Sequence, residues 1–204
     1  MSDAAGQVTT EPPLRAVGHS PAYEWWRGLQ NNNGARARLR RCRSSSEALM
    51  EPAAINLAQR LGALAEGARS DDFAIRTALD LARVLAHVKE NEPGRRVMQQ
   101  AGWKKFPGDR KESDAGDQRP ELSEIRFRRL MTTEPGEPLV AAFTRLVRQL
   151  EGKVNVTQLA RDFRRWSHPT FGPQVRQRWA FDYYAAGLSA PRQLDPSTDD
   201  EATL

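Results

Sequence analysis

The side chains able to support catalysis are few in this sequence, and they do not cluster. The three histidines, His19, His87 and His168, are scattered, with no HExxH or paired His-Asp motif around them. No glycine-rich loop joins a strand to a helix, so the phosphate cradle of nucleotide-binding enzymes is missing. Asp71 and Asp72 stand at an expected helix start, where carboxylates ordinarily cap backbone N–H groups. His168 precedes Pro169 at an expected helix end, where a cation meets the negative end of the helix dipole; a cap is predicted there rather than catalysis. Cys42 is the only cysteine, which excludes an internal disulfide or a cysteine-rich zinc site, fits a reducing cytoplasm, and predicts a packing role. These residues predict a protein that is not an enzyme and uses no metal or cofactor.

Arginine offers a different chemistry. Its planar fork pairs with phosphate oxygens, and the arginines here fall on shared helical faces. Arg161, Arg164, Arg165 and His168 recur at i, i+3, i+4 and i+7, opposite Leu159, Phe163 and Trp166. Arg126 and Arg129 lie one turn apart, and Arg145 and Arg148 repeat that spacing. In the short segment Ala35 to Arg43, Ala35, Leu39 and Cys42 form one apolar stripe, while Arg36, Arg40 and Arg43 share another face with Arg38 and Arg41 beside it. Some of these cations are expected to pair with Glu124, Asp162 or Asp182, at about 0–1 kcal/mol for a surface pair.

The charge is also segregated. Between residues 21 and 189 there are 29 Lys and Arg against 20 Asp and Glu, a surplus of nine that exceeds the +5 of the whole sequence because the two ends are acidic. Residues 21–43 hold six arginines and one acid, and residues 122–189 hold 11 basic and six acidic residues, while the middle is balanced. Such segregation points to a polyanionic partner, since phosphate contacts dominate nucleic-acid affinity. Of the five tryptophans, Trp166 and Trp179 lie on apolar stripes and are expected in the core. Trp25 and Trp26 are adjacent, which predicts that one of them faces outward.

Helices must position these residues, because apolar side chains recur at spacings of three and four and no alternating strand stands out. Pro21 starts a first helix that Asn31 to Gly34 break, and Ser44 to Ser46 supply caps for a segment containing Pro52. A long helix follows from Asp71 with Phe73, Ala74, Ala78, Leu81, Leu85 and Val88 inward, then a short one from about Arg95 to Ala101. Leu139, Val140, Phe143, Leu146, Val147 and Leu150 give the cleanest stripe, after a helix capped by Ser123. Gly172 and Pro173 open the last helix. The fold expected is all-α, a helical bundle of two small lobes sharing a core, residues 21–103 and 122–189. A long loop at 104–121 joins them, and unpacked tails are expected at 1–20 and 190–204. No apolar run approaches the roughly 20 residues of a membrane span, and no signal peptide is expected, so a cytoplasmic location without a membrane partner is predicted.

The segments YEWWRGLQ (23–30), GARARLRR (34–41), LSEIRFRRLM (122–131), VNVTQLARDFRRW (154–166) and VRQRWAFDYY (175–184) follow one another as in the CasB family, and the sequence resembles that family over nearly its whole body. The resemblance implies the small, non-catalytic subunit of the type I-E CRISPR surveillance complex, Cascade, acting in antiviral defence. It implies as partners the other Cascade subunits, a second copy of itself, the guide crRNA and target DNA including the displaced strand. By position it implies nucleic-acid contacts from Arg36, Arg38, Arg40 and Arg41, from Arg126 and Arg129, and from Arg161, Arg164 and Arg165. Nothing is carried onto 104–121 or the tails. Two other readings compete. VTQLARDF has the spacing of the first helix of a helix-turn-helix regulator, although Pro169, Gly172 and Pro173 make the break long for that motif. A pure interaction scaffold would use its arginines on acidic proteins instead.

Overall fold

The computed structural model describes residues 20–64, 72–103, 119–168 and 170–184. These form an all-α architecture of ten helices with one two-stranded parallel ladder. The N-terminal helices are α1 (Pro21–Gln30), α2 (Asn33–Arg41), α3 (Ser45–Leu49), α4 (Pro52–Arg60), α5 (Asp72–Leu85) and α6 (Val97–Ala101). The C-terminal ones are α7 (Glu124–Met131), α8 (Glu137–Gln149), α9 (Val156–Trp166) and α10 (Phe171–Tyr184). The expected tails, apart from Ser20, and the expected loop up to residue 118 lie outside the described residues, as do Asp71 and Pro169. Ser20 itself is built into the fold: its Oγ accepts the Tyr23 N–H as the cap of α1 and bonds Thr157 Oγ1 at 3.0 Å.

Local chemistry sets most helix limits. Asn32 caps α2 through its side chain, so Asn33 and Gly34, expected to break the chain, lie inside that helix. Ser44 caps α3, and the expected single segment through Pro52 is two helices, with Pro52 in the first turn of α4. α8 follows Gly136 (φ 92°), and the chain leaves it through Glu151 (φ 56°) and Gly152 (φ 83°), left-handed geometry that glycine adopts at no steric cost. That turn delivers β2 (Lys153–Val154) alongside β1 (Glu90–Asn91), pairing Glu90 with Lys153 and Asn91 with Val154.

The core is one continuous cluster drawn from both halves of the chain. α5 lies at its centre, packed on α4, α3, α8 and α9. Phe143, Phe163, Trp166 and Trp179 meet with ring centroids 5.0–5.3 Å apart, in tilted or edge-to-face pairs. Trp166 and Trp179 are thus core residues, as their stripes predict. Trp25 and Trp26 depart from expectation, since both are buried. α1 is wrapped by α2, α4 and α9, so two neighbouring faces of it are covered. Each indole N–H finds a carbonyl, Trp25 on Ala53 at 2.8 Å and Trp26 on Val88 at 3.2 Å. Phe73, placed inward by the stripe of α5, is instead exposed near the start of that helix.

Two buried polar centres tie the helices together. Arg83 on α5 reaches Glu137 of α8 with both terminal nitrogens, at 2.7 and 2.8 Å, and Asp80 at 2.9 Å. Asp162 on α9 is wholly buried and accepts from Arg178 and from Trp179 Nε1 (2.8 Å) of α10, and from Gln158 Nε2 (3.2 Å).

Candidate nucleic-acid interface

The arginines singled out by spacing have three different destinations. On α2, half-buried Arg36 and exposed Arg40 both reach the C-terminal end of α5. Arg36 Nε and Arg40 Nε both donate to the Ala86 carbonyl, at 3.1 and 2.7 Å, and Arg36 Nη2 donates to the Val88 carbonyl at 2.9 Å. Carbonyls at a helix end carry partial negative charge and need donors, which these guanidiniums supply. Burial, and then Arg40, lower the pKa of Arg36. Arg38 is exposed and pairs with Glu51 at 2.8 Å, while Arg41 is exposed on the outer side of the helix. Of the four arginines implied in this segment, two are therefore bonded to backbone and one to an acid.

The second destination is a groove of about 740 Å³ between α7 and α8. Arg126 and Arg129 line it from α7, and Arg145 and Arg148 from α8. All four are exposed. Leu122, Leu130 and Leu146 are buried beneath them, Ala142 is half-buried, and among the described residues the lining contains no Asp or Glu. Arg126 Nη1 donates across the groove to Gln149 Oε1 at 3.0 Å, a neutral partner, and among the described residues it pairs with no acid. Glu124, an expected partner for this face, is taken by Arg128 at 2.6 Å. Sequence spacing displays Arg145 and Arg148 as a pair, yet the family resemblance carries no contact onto them; only the packing of α7 on α8 sets them opposite Arg126 and Arg129.

The cationic field extends from this groove toward α2. His87, half-buried after α5, is pushed down to about 4 by burial first, and then by Arg148, Arg40 and Arg36. Charges from α2 and α8 are thus felt at one imidazole.

The third destination is the outer face of α9. Arg161, Arg164 and Arg165 are exposed on it, opposite buried Leu159, Phe163 and Trp166, as the periodicity predicts. Arg161 Nε lies 3.4 Å from Asp162 Oδ1, and the Arg165 guanidinium sits 5.3 Å from the Phe171 ring centroid. Arg164, though exposed, has a pKa lowered by partial desolvation and then by Arg165. The third expected acid, Asp182, pairs with Arg96 at 3.2 Å. His168 follows α9 and reaches forward along the chain. Its Nδ1 accepts the N–H groups of Thr170 (3.2 Å) and Phe171 (3.4 Å), so it caps the start of α10.

That start also corrects the expected length of the break. Gly172 and Pro173 lie inside α10, so only residues 167–170 separate it from α9. Gly172 is required by close approach, because a Cβ there would stand 2.3 Å from the Trp166 carbonyl oxygen. The outward side of α10 shows Gln174, Gln177 and Phe181. Arg176 and Arg178 turn back to the Trp166 carbonyl and Asp162. Among the described residues no cluster of His, Cys, Asp and Glu could hold a metal ion, and no helix is long and apolar enough to cross a membrane.

Residues 35–184 match the sequence model of the CRISPR-associated protein Cse2 family. A crystal structure of E. coli Cascade bound to a PAM-containing double-stranded DNA target contains a similar chain, with a TM-score of 0.58 and 18% identity. That match covers 85% of the present chain and 100% of the other. At this identity the likeness establishes the fold. No curated protein matches the sequence.

Proposed function

Because the chain belongs to the CRISPR-associated Cse2 family, the CasB family of the sequence resemblance, we propose that it is the small, non-catalytic subunit of a Cascade-type surveillance complex. In this reading it sits beside the other Cascade subunits and a second copy of itself, contacts the crRNA and target DNA through their backbones, and stabilises the opened target and its displaced strand. The observation that carries the nucleic-acid part is the groove where Arg126, Arg129, Arg145 and Arg148 converge, with no acid among its described lining residues. Phosphate contacts position a strand without reading its sequence, which suits a complex in which base pairing does the reading. Arg161, Arg164 and Arg165 on α9 are the second contact face proposed, with Arg38 and Arg41 at the exposed side of α2. Arg36 and Arg40 would contribute chiefly through the field around His87.

Co-expression with its genomic neighbours and a guide RNA tests the assignment: the chain co-purifies with the guide-loaded assembly, and its absence from that assembly removes the reading. Within the assembly, Arg145→Ala with Arg148→Ala weakens target retention to a similar degree for all matched guides. Each lost contact also flattens the slope of log affinity against log salt by about 0.7–0.9. A second reading, a helix-turn-helix regulator, gains from the four-residue break before α10 but has no free arginine on the outward side of that helix. A salt-insensitive complex with one duplex sequence would favour it.

A further inference from the structure

The groove between α7 and α8 has a feature that phosphate contact alone does not require. Its cationic rim stands over an apolar floor, with exposed Arg126, Arg129, Arg145 and Arg148 around buried Leu130 and Leu146 and half-buried Ala142. A surface that only follows a backbone needs charge along its crest; a recessed apolar floor is satisfied by an apolar plane brought into it. In a duplex the faces of the bases are covered by stacking and only their edges are presented. In a single strand the faces are free to be seated on a side-chain surface, and arginine planes can flank them.

We infer that this groove is a nucleotide subsite for single strands, in which the guanidinium rim takes phosphates and the floor around Ala142 takes the face of an unstacked base. The inference deepens the nucleic-acid reading above and rests on it. The volume, about 740 Å³, falls within the range of sites that enclose small ligands. The Arg126–Gln149 hydrogen bond spans the groove from helix to helix, so the rim is braced while its charge stays available. The floor is aliphatic, and its contact with a base face is therefore tolerant of base identity. The subsite should tell a strand with bases from one without them, and single strand from duplex, without selecting a sequence.

Binding of the full chain to three probes of equal length tests this: an oligothymidylate, the same phosphate backbone with abasic residues, and a duplex. Oligothymidylate is expected to bind tightest. The abasic strand is expected to be about three- to tenfold weaker, less than an aromatic seat would give, with the same salt slope. Ala142→Leu, which fills the floor and leaves the four arginines, should bring oligothymidylate down to the abasic affinity. Arg145→Ala should weaken all three probes together and lower the slope on single strands by about 0.7. If Ala142→Leu does not fold, the comparison of probes on the parent chain decides the matter alone. Equal affinity for the base-bearing and abasic strands, with the salt slope intact, overturns the base seat and leaves the phosphate reading standing. Failure to bind any of the three, with capture of a poly-glutamate peptide instead, overturns both in favour of an acidic protein partner.

Discussion

At the scale of single residues, the two sides of α9 answer differently to substitution. Phe163 is buried and meets Phe143 edge-to-face at 5.1 Å. Phe163→Ala is therefore expected to cost about 3–5 kcal/mol. Arg164 and Arg165 are exposed on the opposite side, and alanine favours helix, so Arg164→Ala with Arg165→Ala should leave melting within a few degrees of the parent while lowering retention of target DNA by the assembled complex. Early melting of the double variant, or unchanged retention at moderate salt, would show that this face is structural. A second residue-scale test is His87. The unfolded chain takes up its proton near 6.5 but the folded chain only near 4, because burial and three arginines oppose the charge. Stability from this group is therefore fully present above pH 6.5 and declines as the pH falls toward 4. The loss is at most about 3.5 kcal/mol at about 1.4 kcal/mol per pH unit, and less where solvent screens the half-buried ring. His87→Gln should flatten the melting temperature between those two pH values; parallel curves for variant and parent would count against it.

At the scale of elements, helix existence was legible in the sequence and helix junctions were not. The stripe from Leu139 to Leu150 appears in the structure as the buried side of α8, because a 3.6-residue period is a property of the segment itself. Whether Asn33 and Gly34 end a helix or begin one depends on which asparagine accepts a backbone N–H, and Asn32 accepts that of Ala35 at 3.0 Å. The targets of the arginines were equally hidden. Spacing puts Arg36 and Arg40 on one face with Arg38 and Arg41 beside it, but only the arrival of α5 beside α2 shows that the first two bond carbonyls. That separation is measurable. Arg36→Ala with Arg40→Ala strips three hydrogen bonds from the Ala86 and Val88 carbonyls, although Trp26 still serves Val88, and should destabilise the protein by about 2–4 kcal/mol. Arg41→Ala should change stability by no more than about 0.5 kcal/mol. Chemical denaturation of the two variants gives the comparison, and equal midpoints would mean that the α5 end has no need of its arginine donors.

At the scale of the whole molecule, the two halves read from the sequence as small lobes are joined by more than a shared apolar core. α5 carries Arg83 into a bidentate pair with Glu137 of α8, β1 pairs with β2 across the same divide, and the Trp103 N–H is held by the Tyr183 carbonyl at 2.8 Å. Gly102 shows how close that last approach is, since a Cβ there would lie 2.2 Å from the Tyr183 carbonyl oxygen. None of these connections has a signature along the chain, because each joins residues more than 50 positions apart. Their consequence is cooperativity: neither half can keep its buried surface when the other opens, so the described body should unfold in one transition. Far-ultraviolet circular dichroism reports helix in both halves, whereas tryptophan fluorescence weights the aromatic cluster of α9 and α10 together with Trp25 and Trp26 of α1. In urea the two signals should share one midpoint and one slope. Gly102→Ala, which drives α6 and α10 apart, should move both signals together to lower denaturant. If the helical signal instead keeps a plateau after fluorescence is lost, the lobes are separable, and the groove between α7 and α8 could open without the N-terminal helices.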